Sequence, residues 1–287
     1  MAQRPARREG ADMSLLDTLG LSPKAVAERH AWIGGSDANT IMSGDEARIL
    51  SLWRQKRGEE GPDDLSASLA VQMGSYTEPL NRAWYELQTG NLVHGHGKVA
   101  VHATIPYMRA TLDGVVFDPL TDAAVAVFEA KHTGTYGPDA DLFARYVPQL
   151  THNCLCAGHD QAVLSVFRGN ADWVMFEYAL DADYAAALLE AEERFWACVR
   201  SGEPPVPLPP PPPPKPKGVR EYDMTGSNAW AAQAGEYLDT LLAAERHAAA
   251  KAEIKRLVPD DASLCTGHGL TVKRDKRGAL RFAVEGE

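Results

Sequence analysis

The sequence predicts an α/β fold in which helices flank a central mixed β-sheet. Two segments with helical spacing of apolar residues come first, at 45–57 and 77–89. Three strand-like runs follow at 98–104, 108–117 and 124–132, and a helical segment at 141–157 separates them from two more strand-like runs at 162–169 and 173–180. Strands that are partly consecutive and partly separated by a helix favour a mixed sheet with helices packed against it.

The start of one helix and a further helix at the end of the domain are also indicated. Thr77 is a candidate N-cap, and Pro79 suits the first turn of the helix that would follow. After the last strand, apolar residues recur at helical spacing, which predicts a closing helix through Tyr184, Leu188, Phe195 and Val199.

A proline-rich run divides the chain. We expect a flexible tail over 1–13, a main domain over 14–202, a proline-rich linker over 203–217 and an appendage over 218–287. Consecutive prolines form extended polyproline II, so the run acts as a semi-rigid spacer or as a docking ligand, and its position between two patterned segments favours the spacer. The appendage is predicted to hold a long helix over 226–258 and a β-hairpin near the end of the chain.

Composition excludes several classes of protein. No apolar run approaches the roughly 18 residues of a membrane helix, and the basic start of the chain has no apolar stretch behind it. We therefore expect a cytoplasmic protein without membrane partners. The four cysteines have neither zinc nor iron–sulfur spacing. The net charge of −10 argues against a broad basic DNA-coating surface, although it is compatible with a local basic groove.

The strongest candidate for chemistry is a pair of acidic segments. Asp113 ends one predicted strand, and Glu129 and Lys131 lie two residues apart on the next, so that alternation points both to one face. Pairing the strands would bring Asp113 beside Glu129, with the Ala130 carbonyl as a neutral ligand. Carboxylate oxygens are ligands for Mg²⁺, which can activate water and neutralise phosphate charge.

The alternative for these residues is a surface hairpin with solvated charges. Apolar residues run directly up to Glu129. A carboxylate and an ammonium at the end of a buried strand cost free energy unless they are paired or bind a metal. This placement favours a functional site.

Three further positions have two interpretations each. Glu78 is either a helix-dipole interaction in a first turn or an additional carboxylate of the metal site. The glycine turn before Ser36 and Asp37 is either a plain N-cap or a phosphate cradle. Gln149, on the helix after Lys131, is either a polar residue on a core-facing helix or a contact to the attacking water or the scissile phosphate.

Taken in order, these elements resemble the YqaJ-type viral recombinase nucleases, which are similar to lambda exonuclease and have a PD-(D/E)XK restriction-endonuclease-like core. The resemblance spans about 28–200 and rests on five motifs: IGGSDA (33–38), the G-x-x-x-E of 74–78, LDG (112–114), the E-x-K of 129–131 and a glutamine-bearing helix. Members of the family often have Q-x-Q on that helix, whereas this chain has Thr151 in place of the second glutamine.

The resemblance implies roles for individual residues. Asp113, Glu129 and the Ala130 carbonyl would bind Mg²⁺ or Mn²⁺, with Glu78 supporting the metal from outside its immediate ligands. Lys131 would help to activate water, and Gln149 would line the site. Arg29, seven residues before Ser36, would bind a terminal 5′-phosphate together with that serine.

The activity implied is metal-dependent digestion of one strand of linear double-stranded DNA, expected from the 5′ end, which leaves 3′ overhangs for recombination by single-strand annealing. The expected partners are DNA ends, a single-strand annealing protein and, by analogy with relatives, further copies of the chain in a trimer. A phage or prophage origin would place the enzyme in the host cytoplasm. The alternatives are a RecB-like or endonucleolytic enzyme of the same superfamily in DNA repair, and a non-catalytic module that binds DNA or a partner.

Overall fold

The chain forms two compact units, the first ending at Val219 and the second beginning at Arg220. The structure is a computed structural model and describes residues 29–63, 65, 67–134, 137–217 and 223–284. The tail predicted over 1–13 lies outside the described residues. No helix among the residues described is both long and apolar enough to cross a membrane.

A five-stranded mixed sheet organises the first unit. Its order is β1-β4-β5-β6-β7, in which only β5 and β6 are parallel. The strands are β1 (Leu92–His94), β4 (Gly114–Phe117), β5 (Ala124–Thr133), β6 (Gln161–Arg168) and β7 (Asp172–Ala179). A separate hairpin pairs β2 (Val99–Val101) with β3 (Arg109–Thr111). The prediction of a mixed sheet flanked by helices is confirmed.

Helices cover both faces of this sheet. Helix α3 (Leu69–Thr89) packs on the face that contains Phe128, whereas α4 (Asp139–Ala157) packs on the face that contains Val127. Because side chains alternate along β5, Glu129 and Lys131 share the α4 face with Val127. The parallel β5–β6 pair requires a crossover, and α4 is that crossover.

Three further α-helices belong to the first unit among the residues that the structure describes. They are α1 (Gly35–Ile41), α2 (Glu46–Lys56) and α5 (Ala182–Ser201). They share a small apolar cluster, to which Ile41, Trp53 and Phe195 contribute. The segment before α1 is attached to the hairpin, since the amide of Ile33 donates to the Tyr107 carbonyl at 2.7 Å and the amide of Arg109 donates to the Ile33 carbonyl at 3.0 Å.

Two local predictions were wrong. The helix predicted over 77–89 begins at Leu69, so Thr77 is an internal residue whose hydroxyl donates to the Met73 carbonyl at 2.7 Å. Apolar residues at the start of this helix are exposed to solvent. Their spacing therefore does not mark a helix face that packs against the core, and the start of the helix was not predicted. The strand predicted over 108–117 is two strands, β3 and β4, which belong to different sheets.

The proline-rich run lies against the surface of the first unit. Pro205 to Pro211 lines a crevice with Ile41, Ile49 and Phe195. Near its end, the amide of Lys217 donates to the Glu177 carbonyl on β7 at 2.9 Å. This part of the run is therefore attached to the first unit, to which the residues up to Val219 belong.

The second unit holds one helix and one small sheet. Helix α6 (Asn228–Leu257) has no buried residue. The sheet has the order β10-β9-β8, formed by β8 (Leu264–Gly267), β9 (Leu270–Arg274) and β10 (Leu280–Val284). Its β9–β10 pair is a hairpin, and β8 adds a strand that the sequence did not predict.

A buried ion pair joins α4 to α5. His152 and Glu192 are both fully buried, and His152 Nδ1 lies 2.8 Å from a Glu192 carboxylate oxygen. His152 Nε2 lies 3.0 Å from the Arg109 carbonyl, so both ring nitrogens face acceptors, as suits the protonated ring. Burial alone lowers the pKa of His152, but the Glu192 charge and the contacts to Glu192 and Cys156 raise it well above the ordinary value.

We expect Glu192→Gln to destabilise the protein by about 3–5 kcal/mol, because the His152 charge loses its buried partner. A raised histidine pKa contributes stability fully below the ordinary pKa of about 6.5 and loses it as pH rises through the folded-state pKa. The difference between the parent and the variant should therefore be largest in acid and shrink in alkali. Urea unfolding across a pH series measures this difference, with the exposed Glu190→Gln on the same helix as control. A difference that stays constant with pH would contradict the ion pair.

Candidate active site

Asp113 and Glu129 converge where β4 begins. The β4–β5 ladder pairs Gly114 with Phe128, and Asp113 lies just beyond that pair. There the Asp113 side chain takes the place of a backbone carbonyl of a neighbouring strand, since its Oδ2 accepts a hydrogen bond from the Ala130 amide at 2.9 Å. A side chain at position 114 would displace the Val93 side chain, because a Cβ there would lie 2.3 Å from Val93 Cγ1. The fold therefore brings Asp113 next to the Glu129–Lys131 segment.

The Glu129 carboxylate is the most enclosed group of the site, at 1% exposure. One of its oxygens accepts from Lys131 Nζ at 2.5 Å and from Gln149 Nε2 at 2.5 Å. The other accepts from Asn153 Nδ2 at 2.9 Å. Gln149 and Asn153 are four residues apart on α4, and both therefore present their amides to β5.

Excess negative charge defines the electrostatics of the site. Burial raises the pKa of Glu129 to about 8, the Asp113 charge adds to the rise, and Lys131 opposes it. For Lys131, burial lowers the pKa, but the charges of Glu129 and Asp113 outweigh burial and hold it above its usual value. The ammonium therefore stays charged, and the carboxylates are only partly compensated.

Glu78 adds a third carboxylate to this region. It lies in the middle of α3, not in a first turn, so the helix-dipole interpretation is wrong. Its carboxylate pairs with Arg82 at 2.5 Å, and an Arg82 guanidinium nitrogen lies 3.4 Å from the Asp113 carbonyl oxygen. Burial and the Asp113 charge raise the pKa of Glu78. Its carboxylate is thus electrostatically part of the same acidic group.

The glycine turn forms a second polar region before α1. An Arg29 guanidinium nitrogen lies 2.8 Å from the exposed Ser36 hydroxyl, which brings these two predicted residues together. Asp37 accepts from the Gly34 amide at 2.8 Å and from Lys56 Nζ at 2.6 Å. Lys56 Nζ also donates to the carbonyls of Arg29 and Trp32. This buried lysine therefore fixes both ends of the turn that carries Arg29 and Ser36.

The chemistry of the donor set fits a hard divalent cation. Asp113 and Glu129 supply carboxylate oxygens, and the Ala130 carbonyl is adjacent in sequence. Across the described part of the chain, no three His, Cys, Asp or Glu side chains converge as a ready-made metal cluster. A cation here would therefore be held by two carboxylates and neutral oxygens, and it would offset the charge that raises the pKa of Glu129.

Sequence reasoning missed Asn153, and the structure places Thr151 away from Glu129. The Thr151 hydroxyl donates to the Val147 carbonyl at 2.8 Å and lies 2.7 Å from the Tyr178 hydroxyl, so it belongs to the core on another side of α4. Asn153 is the second amide that bonds Glu129 in this chain. The i, i+4 spacing from Gln149 was the signal that could have identified it.

One family model matches the part of the chain that contains these residues. Residues 26–160, which include the glycine turn, all three acidic residues and the amides of α4, match the YqaJ-like viral recombinase domain. The predicted family resemblance is thus confirmed over this segment. No curated protein matches the chain significantly.

Solved structures define the fold of the first unit. An alkaline exonuclease from Laribacter hongkongensis, LHK-Exo, is similar with a TM-score of 0.52 and 20% identity, over 63% of this chain and 94% of that chain. The same protein in complex with dAMP gives a TM-score of 0.52 and 19% identity, over 63% and 94% of the two chains. The chain therefore has the PD-(D/E)XK fold of these exonucleases, as predicted.

We expect Lys56→Met to destabilise the protein by about 3–5 kcal/mol, because the buried Asp37 carboxylate would lose its cation. Chemical denaturation monitored by circular dichroism measures the change. Lys98→Met, at an exposed position before β2, removes the same charge and should change stability by less than about 0.5 kcal/mol. Equal effects of the two substitutions would contradict a structural role for the Asp37–Lys56 pair.

Proposed function

We propose that this chain is a metal-dependent DNA exonuclease that digests one strand of linear duplex from the 5′ end and leaves 3′ overhangs. The observation that carries the proposal is the Glu129 carboxylate, which is buried at a strand end with Asp113, Lys131 and Gln149 around it. A purely structural protein gains nothing from leaving these charges only partly compensated. The matched domain and the fold support the assignment.

Asp113 and Glu129 would hold Mg²⁺ or Mn²⁺, with the Ala130 carbonyl as a neutral ligand and Glu78 outside the immediate ligands. The bound cation would lower the pKa of water and neutralise charge on the scissile phosphate. Lys131, whose side chain is one-quarter exposed, would orient the attacking water. Gln149 would line the site and hold Glu129 in place through its amide.

Arg29 and Ser36 would bind the terminal 5′-phosphate. Their contact at 2.8 Å presents a guanidinium and a hydroxyl together, and both can donate to phosphate oxygens. The Lys56 and Asp37 pair holds the turn that presents them. Recognition of an end at this turn would account for exonucleolytic action. The expected partners are duplex DNA ends, a single-strand annealing protein that receives the 3′ overhang, and further copies of the chain in a trimer.

The first test replaces Glu129 by Gln and Asp113 by Asn. Both substitutions keep the shape of the side chain and remove its charge, so we expect each to reduce Mg²⁺-dependent digestion of linear duplex by more than about 100-fold, beyond the cost typical of residues that only support metal ligands. Digestion is measured on 5′- or 3′-end-labelled linear duplex with Mg²⁺ or EDTA. The exposed Glu177→Gln on β7 is the matched control.

Parental rates in both site variants would refute the assignment. A circular duplex run in parallel separates the mechanisms, because cleavage of the circle at a comparable rate would indicate an endonuclease. The two end labels report polarity independently of the site, since early release of the 5′ label indicates digestion from the 5′ end.

The second test concerns end recognition. Removing the Arg29 guanidinium should abolish a charge-assisted contact, so Arg29→Ala is expected to lower the preference for 5′-phosphoryl over 5′-hydroxyl ends by about tenfold or more. Initial rates on the two substrates give this ratio. Arg54→Ala, at an exposed position on α2, removes the same charge elsewhere and should leave the ratio unchanged. An unaltered ratio in Arg29→Ala would exclude this residue from phosphate binding.

A further inference from the structure

Two amide side chains connect the glycine turn and α1 to the Glu129 carboxylate. Asn39 on α1 donates through Nδ2 to the Gln149 side-chain oxygen at 3.2 Å, and its own oxygen accepts from the Gln149 backbone amide at 3.0 Å. Gln149 in turn donates to Glu129 at 2.5 Å. Pro148 precedes Gln149 inside α4, and proline disturbs the regular hydrogen bonding of a helix. Both the backbone amide and the side-chain oxygen of Gln149 are thus hydrogen-bonded to Asn39 on α1.

The second connection is a close contact between Gly35 and the Asn153 side chain. A Cβ at Gly35 would lie 2.3 Å from Asn153 Oδ1 and 3.0 Å from Gln149 Cγ. Gly35 therefore lets α1 approach α4 until the backbone of the turn touches the amide of Asn153. The other end of that amide donates to Glu129 at 2.9 Å. A shift of the turn would displace the group that holds one oxygen of the carboxylate.

We propose that Asn153 and Asn39 are positioning residues, which set the orientation of Glu129 from the glycine turn and so determine how well the site binds its cation. This inference rests on the proposed function, because it assigns a purpose to contacts around a proposed metal ligand. Residues that orient metal ligands are about as important as the ligands themselves, and their loss costs about 10- to 100-fold in metal affinity or activity.

The first experiment measures metal binding without catalysis. Thermal unfolding is followed as Mg²⁺ is added to the parent protein, to Asn153→Ala and to Asn39→Ala. A cation that binds the folded state raises the melting temperature, and the concentration needed for a given rise scales with its dissociation constant. We expect the Mg²⁺ concentration needed for a given shift to rise about 10- to 100-fold in Asn153→Ala, which removes the amide donor without adding a charge. Asn39→Ala should produce a smaller rise, because it acts through Gln149.

Thr151→Val is the matched control. Thr151 lies on the same helix, is fully buried and loses a hydrogen bond on substitution, but its partners are Val147 and Tyr178. It should lower the melting temperature without changing the Mg²⁺ dependence. A general loosening of α4 would instead move the Mg²⁺ dependence of all three variants alike, and that result would overturn the inference.

The second experiment tests the contact at Gly35. Gly35→Ala alone should weaken the Mg²⁺ response about as much as Asn153→Ala, because the added methyl group displaces Asn153. In the double variant Gly35→Ala/Asn153→Ala the 2.3 Å clash is gone, and Gln149 must yield by only a few tenths of an ångström. The double variant should therefore respond to Mg²⁺ no worse than Asn153→Ala alone. Additive losses would overturn the proposed link.

The outcomes distinguish failure of this inference from failure of the proposed function on which it rests. If the parent protein digests linear DNA with Mg²⁺ and is stabilised by Mg²⁺, but Asn153→Ala and Asn39→Ala behave as the parent does, the inference fails and the proposed function stands. If the parent shows neither Mg²⁺-dependent digestion nor a Mg²⁺-dependent shift, the proposed function fails and this inference fails with it.

Discussion

The fold depends on one constraint, which is the burial of the Glu129 carboxylate at the end of a core strand. A carboxylate at 1% exposure is costly unless donors surround it, and Lys131, Gln149 and Asn153 supply them. Those donors come from β5 and from the helix that crosses over the sheet. The parallel β5–β6 pair requires that crossover helix. The helix that the sheet topology requires therefore also supplies two of the donors to Glu129.

The sequence predicted the parts of this arrangement that local patterns encode. Alternation along β5 placed Glu129 and Lys131 on one face, and the apolar residues that run up to Glu129 indicated a buried strand. These signals depend on a few neighbouring residues. The mixed sheet followed from the order of strands and helices, because only a limited set of layered arrangements buries such a series.

What the sequence did not predict depends on contacts between distant residues. Asn153 and Lys56 look like ordinary polar residues until α1 and α2 pack against α4 and the turn. The start of α3 at Leu69 was not predicted, because apolar residues such as Leu69 and Leu80 lie on its exposed face. The Glu192 partner of His152 is 40 residues away, and no local periodicity identifies such a pair.

The His152–Glu192 pair also bears on the order in which the first unit can fold during its synthesis. Every side chain assigned to the site, from Arg29 to Asn153, has been made before Glu192 emerges, yet α4 cannot be fastened to α5 until that residue is present. Until then the His152 ring has no carboxylate to compensate its charge inside the core. A nascent or truncated chain that lacks Glu192 would thus contain these side chains without the scaffold that aligns them. The contact between α4 and α5 therefore forms only when the first unit is nearly finished.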